Sequence, residues 1–217
     1  VSCRAWASQH PKAQMRDLIS VEDVMNSRAI ADPLKVLDCS LVSDGGAAVV
    51  ITRKDRAKDG PHKPVTLLGY GEGHAYEHIS QAKDLTTSAA VQSGRAAYAE
   101  AGLTPDDIDL LQLYDCFTPA LLMQIEDLGF CGKGEGGAWL ASGISRPGGS
   151  KPMNTHGGML SYCHPGNPGA MFGLTEAITQ MRGDAGERQL PKMHTALCHA
   201  QGGIMSSHAT IILGVED

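Results

Sequence analysis

The chain has 217 residues, of which 42% are hydrophobic and 19% charged. That balance supports a buried core and excludes intrinsic disorder. With 18 basic against 24 acidic residues the net charge is -6, and no Lys/Arg cluster offsets it, which argues against nucleic-acid binding.

No apolar run approaches the roughly 18 residues of a membrane-spanning helix. Glycine is abundant, at 26, and aromatic residues make up only 5%. Such a chain is expected to pack small residues closely and to turn often.

The chain opens Val1-Ser2-Cys3-Arg4, without a methionine or an apolar leader. The expectation is a processed terminus or a boundary inside a longer polypeptide, with any targeting signal upstream. Residues 19–28 read as a short helix, with Ser20 as N-cap and Asp23 three residues on. Residues 47–52, Ala-Ala-Val-Val-Ile-Thr, read as a buried strand after a turn at Asp44-Gly45-Gly46. The charged stretch 53–64, with Gly60-Pro61 inside it, reads as a surface connection between two parts, 1–60 and 61–217.

Beyond it, residues 65–70 predict a strand, and the glycines of 69–74 a flexible loop. Residues 88–101 predict a helix with a face of small residues, capped by Gly102. Residues 109–113 predict a buried strand and 118–128 an apolar helix ending at Gly129. The glycine-rich stretch 132–149 predicts a loop, and 172–181 a helix ended by Gly183. Residues 193–197 and 209–214 predict two paired strands joined by a loop over 198–203. Alternating strands and helices give an α/β class with a mixed sheet.

Six cysteines are scattered without any Cys-x-x-Cys pair. Zinc-ribbon and thioredoxin-type sites are therefore excluded, and free thiols in a reducing, cytoplasmic compartment are expected. His74 and His78 have helical spacing, but no third ligand stands nearby with motif spacing. No metal site is expected.

Three segments place reactive side chains at chain turns. In Tyr114-Asp115-Cys116-Phe117 a strand gives way to a helix, and a helix N-terminus lowers a thiol pKa. In 154–166, Gly157-Gly158 allows close backbone approach, and His164 before Pro165 is held extended. In Cys198-His199-Ala200-Gln201-Gly202-Gly203, adjacent Cys and His point to opposite strand faces.

In this order the segments resemble the C-terminal half of the thiolase superfamily, over nearly the whole chain. Ser43-Asp44-Gly45-Gly46-Ala47-Ala48 is similar to the family's Asp-Gly-Ala-Ala-Ala stretch. Tyr114-Asp115-Cys116-Phe117 resembles the His-Asp-Cys-Phe of sterol-carrier-protein-type thiolases. Asn154 to Pro165 matches Asn-x-x-Gly-Gly-x-x-x-x-Gly-His-Pro, with Cys163 in place of the last Gly. Residues 198–203 lie where the family carries Cys-x-Gly.

The resemblance implies a layered α-β-α thiolase-like fold with a mixed five-stranded sheet. Residues 1–60 would end the N-terminal half and 61–217 form the C-terminal domain. It implies an acyl-CoA C-acyltransferase of acetyl-CoA acetyltransferase type, with a coenzyme A thioester as substrate and no bound cofactor. Cys116 would be the acid/base, and His164 the activating and oxyanion-binding histidine. Tyr114 would take the place of an oxyanion-hole Asn or His, and His199 that of the Cys-x-Gly cysteine, with Cys198 one residue away as the alternative register. Gly157, Gly158 and Gly202 would line the substrate.

The family's nucleophilic cysteine belongs to the N-terminal half. The chain alone is therefore expected to leave acetoacetyl-CoA unturned, and the full-length protein to form a homodimer. The Tyr-Asp pair also resembles thiolase-like retro-aldolases of steroid side-chain degradation, which work with a small zinc-ribbon and OB-fold partner. The intact His164-Pro165 tips the expectation toward acyl transfer. A non-catalytic lipid carrier is the third alternative.

Overall fold

The computed structural model describes residues 1–191 and 193–215. The N-terminal region holds α1 (Ser2–Ala7) and α2 (Val21–Asn26). Helix α2 starts where its cap predicts. Asp23 N donates to Ser20 Oγ at 3.1 Å, and Ser20 N donates to Asp23 Oδ2 at 2.7 Å, so two orphan amides are satisfied reciprocally. A small antiparallel ladder of β1 (Ala29–Ala31) and β2 (Leu34–Lys35) follows.

The buried strand expected at 47–52 does not form. Residues 40–53 carry no regular structure, and Val50 and Ile51 are 95% and 88% exposed. β-Branched residues favour a strand only when a partner strand and a covering face exist. Among the described residues no strand pairs with this segment. The charged connection that follows is exposed and holds only the short α3 (Lys54–Ala57).

The sheet begins with β3 (Thr66–His74). The flexible loop expected at 69–74 is instead strand, paired residue by residue with the last strand of the chain. Its glycines serve packing. Gly69, Gly71 and Gly73 are buried on one face under α4 (Ala90–Ala101). A Cβ on them would run into the carbonyl oxygens of Ala97, Ser93 and Ala89 respectively. The helix therefore lies on the strand backbone itself, with Ser93 and Ala97 buried in the contact. Helix α4 ends at Gly102, whose φ of 67° a residue with a Cβ resists.

β4 (Leu110–Gln112) leads into α5 (Thr118–Asp127). The stretch read as a loop over 132–149 contains α6 (Gly136–Ala141), because Trp139 and Leu140 find core to pack against. α7 (Gly158–Ser161) and α8 (Gly169–Arg182) follow, α8 ending at Gly183 with φ 82°. β5 (Thr195–Gly202) and β6 (Ser207–Gly214) close the chain as an antiparallel hairpin. The loop expected at 198–203 is thus mostly strand, and the turn itself is residues 203–206.

The sheet has four strands rather than five, in the order β3-β6-β5-β4, with only β4–β5 parallel. Beside β4, Met153 makes one parallel bridge to Leu111. The extension stops there because Asn154 turns to a positive φ of 52°. Alternating side chains sort to opposite faces. Leu111, Leu197 and Ile212 meet α4 and α5, whereas Leu110, Ala196, Cys198 and Leu213 meet α8. The result is the expected three-layered α-β-α arrangement around a mixed sheet.

Candidate active site

Tyr114, Asp115 and Cys116 occupy the turn between β4 and α5. Asp115 is fully buried and accepts hydrogen bonds from Met159 N at 2.7 Å, Leu160 N at 3.4 Å and the Cys3 thiol at 3.3 Å. It ties this turn to α7. Gly158 makes the seat: a Cβ there would overlap the Asp115 carboxylate, and its φ is 66°. Gly157, with φ 113°, lies against Ala7 of α1. Both glycines thus have packing reasons of their own, while Gly202 at the end of β5 faces open space.

His164 comes from the loop between α7 and α8. Its ring is held at both nitrogens, Nε2 by the Tyr114 hydroxyl at 2.9 Å and Nδ1 by Ser40 Oγ at 2.8 Å. The Tyr114 and His164 rings meet edge to face, with centroids 5.7 Å apart. His164 N also donates to Ser43 Oγ at 2.8 Å. A Cβ on Gly169 would press on the imidazole at 2.9 Å, so glycine at the start of α8 leaves room for it. Ser40 reaches His164 because its own N donates to Cys116 O at 2.8 Å and Leu41 N donates to Met159 O at 3.1 Å.

Cys116 is buried, and its sulfur accepts a hydrogen bond from Gln201 Nε2 at 3.4 Å. Burial, then the Asp115 charge, pushes this thiol up to about 11. The expectation that the start of α5 would lower it is overturned: the neighbouring backbone N–H acts in that direction, but burial outweighs it. Burial also pushes Tyr114 up to about 12, with Cys116 and Asp115 adding to it. It pushes His164 below the usual histidine range. At neutral pH the site therefore holds a neutral phenol, a neutral imidazole and a neutral thiol.

His199 does not join them. It lies on the α4 face of β5, 3% exposed, with Nδ1 bonded to Thr210 at 2.8 Å and Nε2 to His208 at 3.0 Å. Burial, and then His208, press its pKa down to about 3. Both ring nitrogens are committed to the sheet interior, so the geometry favours an internal role over proton transfer to a substrate. Cys198 points the other way, into the α8 core, as the alternation of neighbours requires.

Sequence reasoning passed over Ser40, Ser43 and Gln124. The serines lie more than 100 residues from His164, and nothing in their spacing announces the contact. Gln124 carries a signal: it is the polar member of the buried stripe Ala120, Leu121, Gln124 and Ile125 of α5. Among the described residues no cluster of three or more His, Cys, Asp or Glu side chains is arranged to hold a metal, and no helix is long and apolar enough to cross a membrane.

A family model described as "Thiolase C-terminal domain-like" matches residues 71–215. An acetyl-CoA acetyltransferase of Methanothermobacter thermautotrophicus is 38% identical over 198 residues, covering 91% of this chain and 52% of the relative. A steroid side-chain-cleaving aldolase of Thermomonospora curvata is 40% identical over 220 residues, covering 98% of this chain and 52% of the relative. Among solved structures, an "Ltp2-ChsH2(DUF35) aldolase" superposes with a TM-score of 0.91 at 37% identity, over 99% of this chain and 56% of that one. The chain thus spans about half the length of the curated relatives it matches.

Proposed function

The chain belongs to the thiolase superfamily, and on that premise we propose that it is the C-terminal part of a lyase that cleaves the Cα–Cβ bond of a β-hydroxyacyl-CoA. The observation that carries this is the Tyr114 hydroxyl on His164 Nε2, 2.9 Å apart, beside a protonated Cys116. A retro-aldol cleavage starts from an alcohol. It needs one group to take the hydroxyl proton and another to return a proton to carbon.

The step balances with these residues. Tyr114 oxygen accepts the proton of the β-hydroxyl as its own proton passes to His164 Nε2. The O–H pair becomes the carbonyl bond of a ketone, and the Cα–Cβ pair becomes the enolate of the shorter acyl-CoA. The Cys116 S–H gives its proton to Cα. His164, through Ser40, exchanges the extra proton with solvent and the thiolate is reprotonated. The oxidation of Cβ to a carbonyl is balanced by the electron pair left on Cα, so no external oxidant or reductant is needed.

Acyl transfer is the second reading. It is favoured by the intact His164-Pro165 and by the 38% identity to an acetyltransferase. It needs in addition a covalent acyl acceptor. The resemblance puts that acceptor in the N-terminal half. The likeness to an aldolase described together with a DUF35 protein supports a small zinc-ribbon and OB-fold partner for this chain too.

The test is cleavage of a β-hydroxyacyl-CoA by the whole polypeptide without free coenzyme A, with ketone and shorter acyl-CoA read by mass spectrometry. Tyr114→Phe is expected to lower the rate by about 100-fold or more. Turnover only on a β-ketoacyl-CoA, and only with free coenzyme A, would decide for acyl transfer.

A further inference from the structure

Two glutamines stand behind the site, and each orients the next group. Gln124 of α5 is 1% exposed. Its Oε1 accepts from Tyr114 N at 2.9 Å, and its Nε2 donates to Tyr114 O at 2.8 Å and Ala120 O at 3.1 Å. A backbone N–H and two backbone carbonyls thus settle which way this amide points. The same Nε2 meets Gln201 Oε1 at 3.2 Å. Gln201 must therefore turn its NH2 the other way, and there it meets Cys116 Sγ at 3.4 Å. The opposite orientation would set two NH2 groups against each other.

Gln201 Nε2 carries two hydrogens, and one is used on the sulfur. The second has no protein acceptor among the described residues, and the side chain is only half-buried at the open end of β5. An amide hydrogen is thus presented beside the thiol. In an enolate, the oxygen and the carbon to be protonated are separated by a single carbon, so a donor for one and a proton source for the other must be close neighbours.

We infer that Gln201 holds the enolate oxygen of the acyl thioester while Cys116 moves the proton at the adjacent carbon, and that Gln124 is the positioning residue that aims it. The inference rests on the enolate of the proposed lyase reaction, but acyl transfer passes through the same enolate. Its test can therefore be separated from that of the lyase reading.

The whole polypeptide is incubated with acetyl-CoA in D2O, and deuterium entering the acetyl methyl is followed by mass spectrometry. In parallel, iodoacetamide labelling of the Cys116 peptide is measured against pH. Gln201→Met is expected to slow exchange by about 100-fold, the usual loss of one oxyanion donor, and to raise the pH midpoint of Cys116 labelling. Gln124→Glu keeps the acceptor for Tyr114 N but offers Gln201 an oxygen. It should reverse the Gln201 amide and give the same two changes, with a lowered melting temperature because Tyr114 O and Ala120 O lose their donor.

Exchange unaffected by Gln201→Met overturns the inference. So does slowed exchange with an unmoved labelling profile, since the loss would then not pass through the sulfur. So does an unmutated protein that shows no exchange. Failure of the lyase reading looks different: exchange depends on Gln201, yet no β-hydroxyacyl-CoA is cleaved.

Discussion

The two faces of the sheet are packed by different means. Under α8, the contact is made by aliphatic and sulfur side chains: Leu110, Ala177, Met181, Cys198 and Leu213. Under α4, at β3 and the adjoining β6, it is backbone against helix, with Gly69, Gly71 and Gly73 below and Ser93 bonded to Thr210 at 2.8 Å. The first face can yield when a side chain changes, because side chains shift and rotate. At the three glycines the second has no strand side chain to move. It is also the face that reaches the active site, since β5 carries Leu197, His199 and Gln201 there in turn, from apolar core to buried polar pair to substrate end.

This contrast breaks most sharply at Gly71. Gly71→Val would drive a side chain into the Ser93 carbonyl, and should destabilise by about 3 kcal/mol or more, read from urea unfolding midpoints. Stability close to that of the parent would mean that α4 does not sit on β3.

The next effect concerns His199. Its folded pKa, near 3, lies below the ordinary value of about 6.5. As pH falls below that ordinary value the unfolded chain takes up a proton that the folded chain refuses. Stability from this residue is therefore full above about pH 6.5 and declines toward pH 3, by about 2 kcal/mol between pH 6.5 and 5. His199→Asn should flatten the slope of stability against pH; an unchanged slope would place the titration elsewhere. His10 and His156, both pressed to about 4 by burial, add to the parent slope in the same direction.

The smallest effect belongs to the α8 face. Cys198→Ala removes a buried sulfur from a yielding aliphatic contact and should cost about 1 kcal/mol. A loss comparable to that of Gly71→Val would erase the distinction between the faces.

The sequence disclosed what is set by short-range chemistry. The Ser20 cap, the glycine stops at Gly102 and Gly183, and the opposite orientations of Cys198 and His199 follow from local geometry. Tyr114, Cys116 and His164 were legible as a group because their motifs, taken in order, resemble those of the thiolase superfamily. What stayed hidden depends on partners far along the chain. The glycines of β3 look like a loop until a helix is known to lie on them. Val49, Val50 and Ile51 look like a strand, yet nothing described here pairs with them. Ser40 and Gln124 matter only through what they touch, and a linear reading does not show that.

The hold of Ser40 on His164 has a mechanical consequence. The segment gripping the imidazole is anchored by two backbone hydrogen bonds, to Cys116 and Met159, and then runs on without regular structure to residue 53. Gly45 within it lies against Phe172 and Pro165, so the segment also rests on the loop that carries the histidine. Ser40 and Ser43 therefore hold both the ring and the backbone of His164 from one segment of the chain.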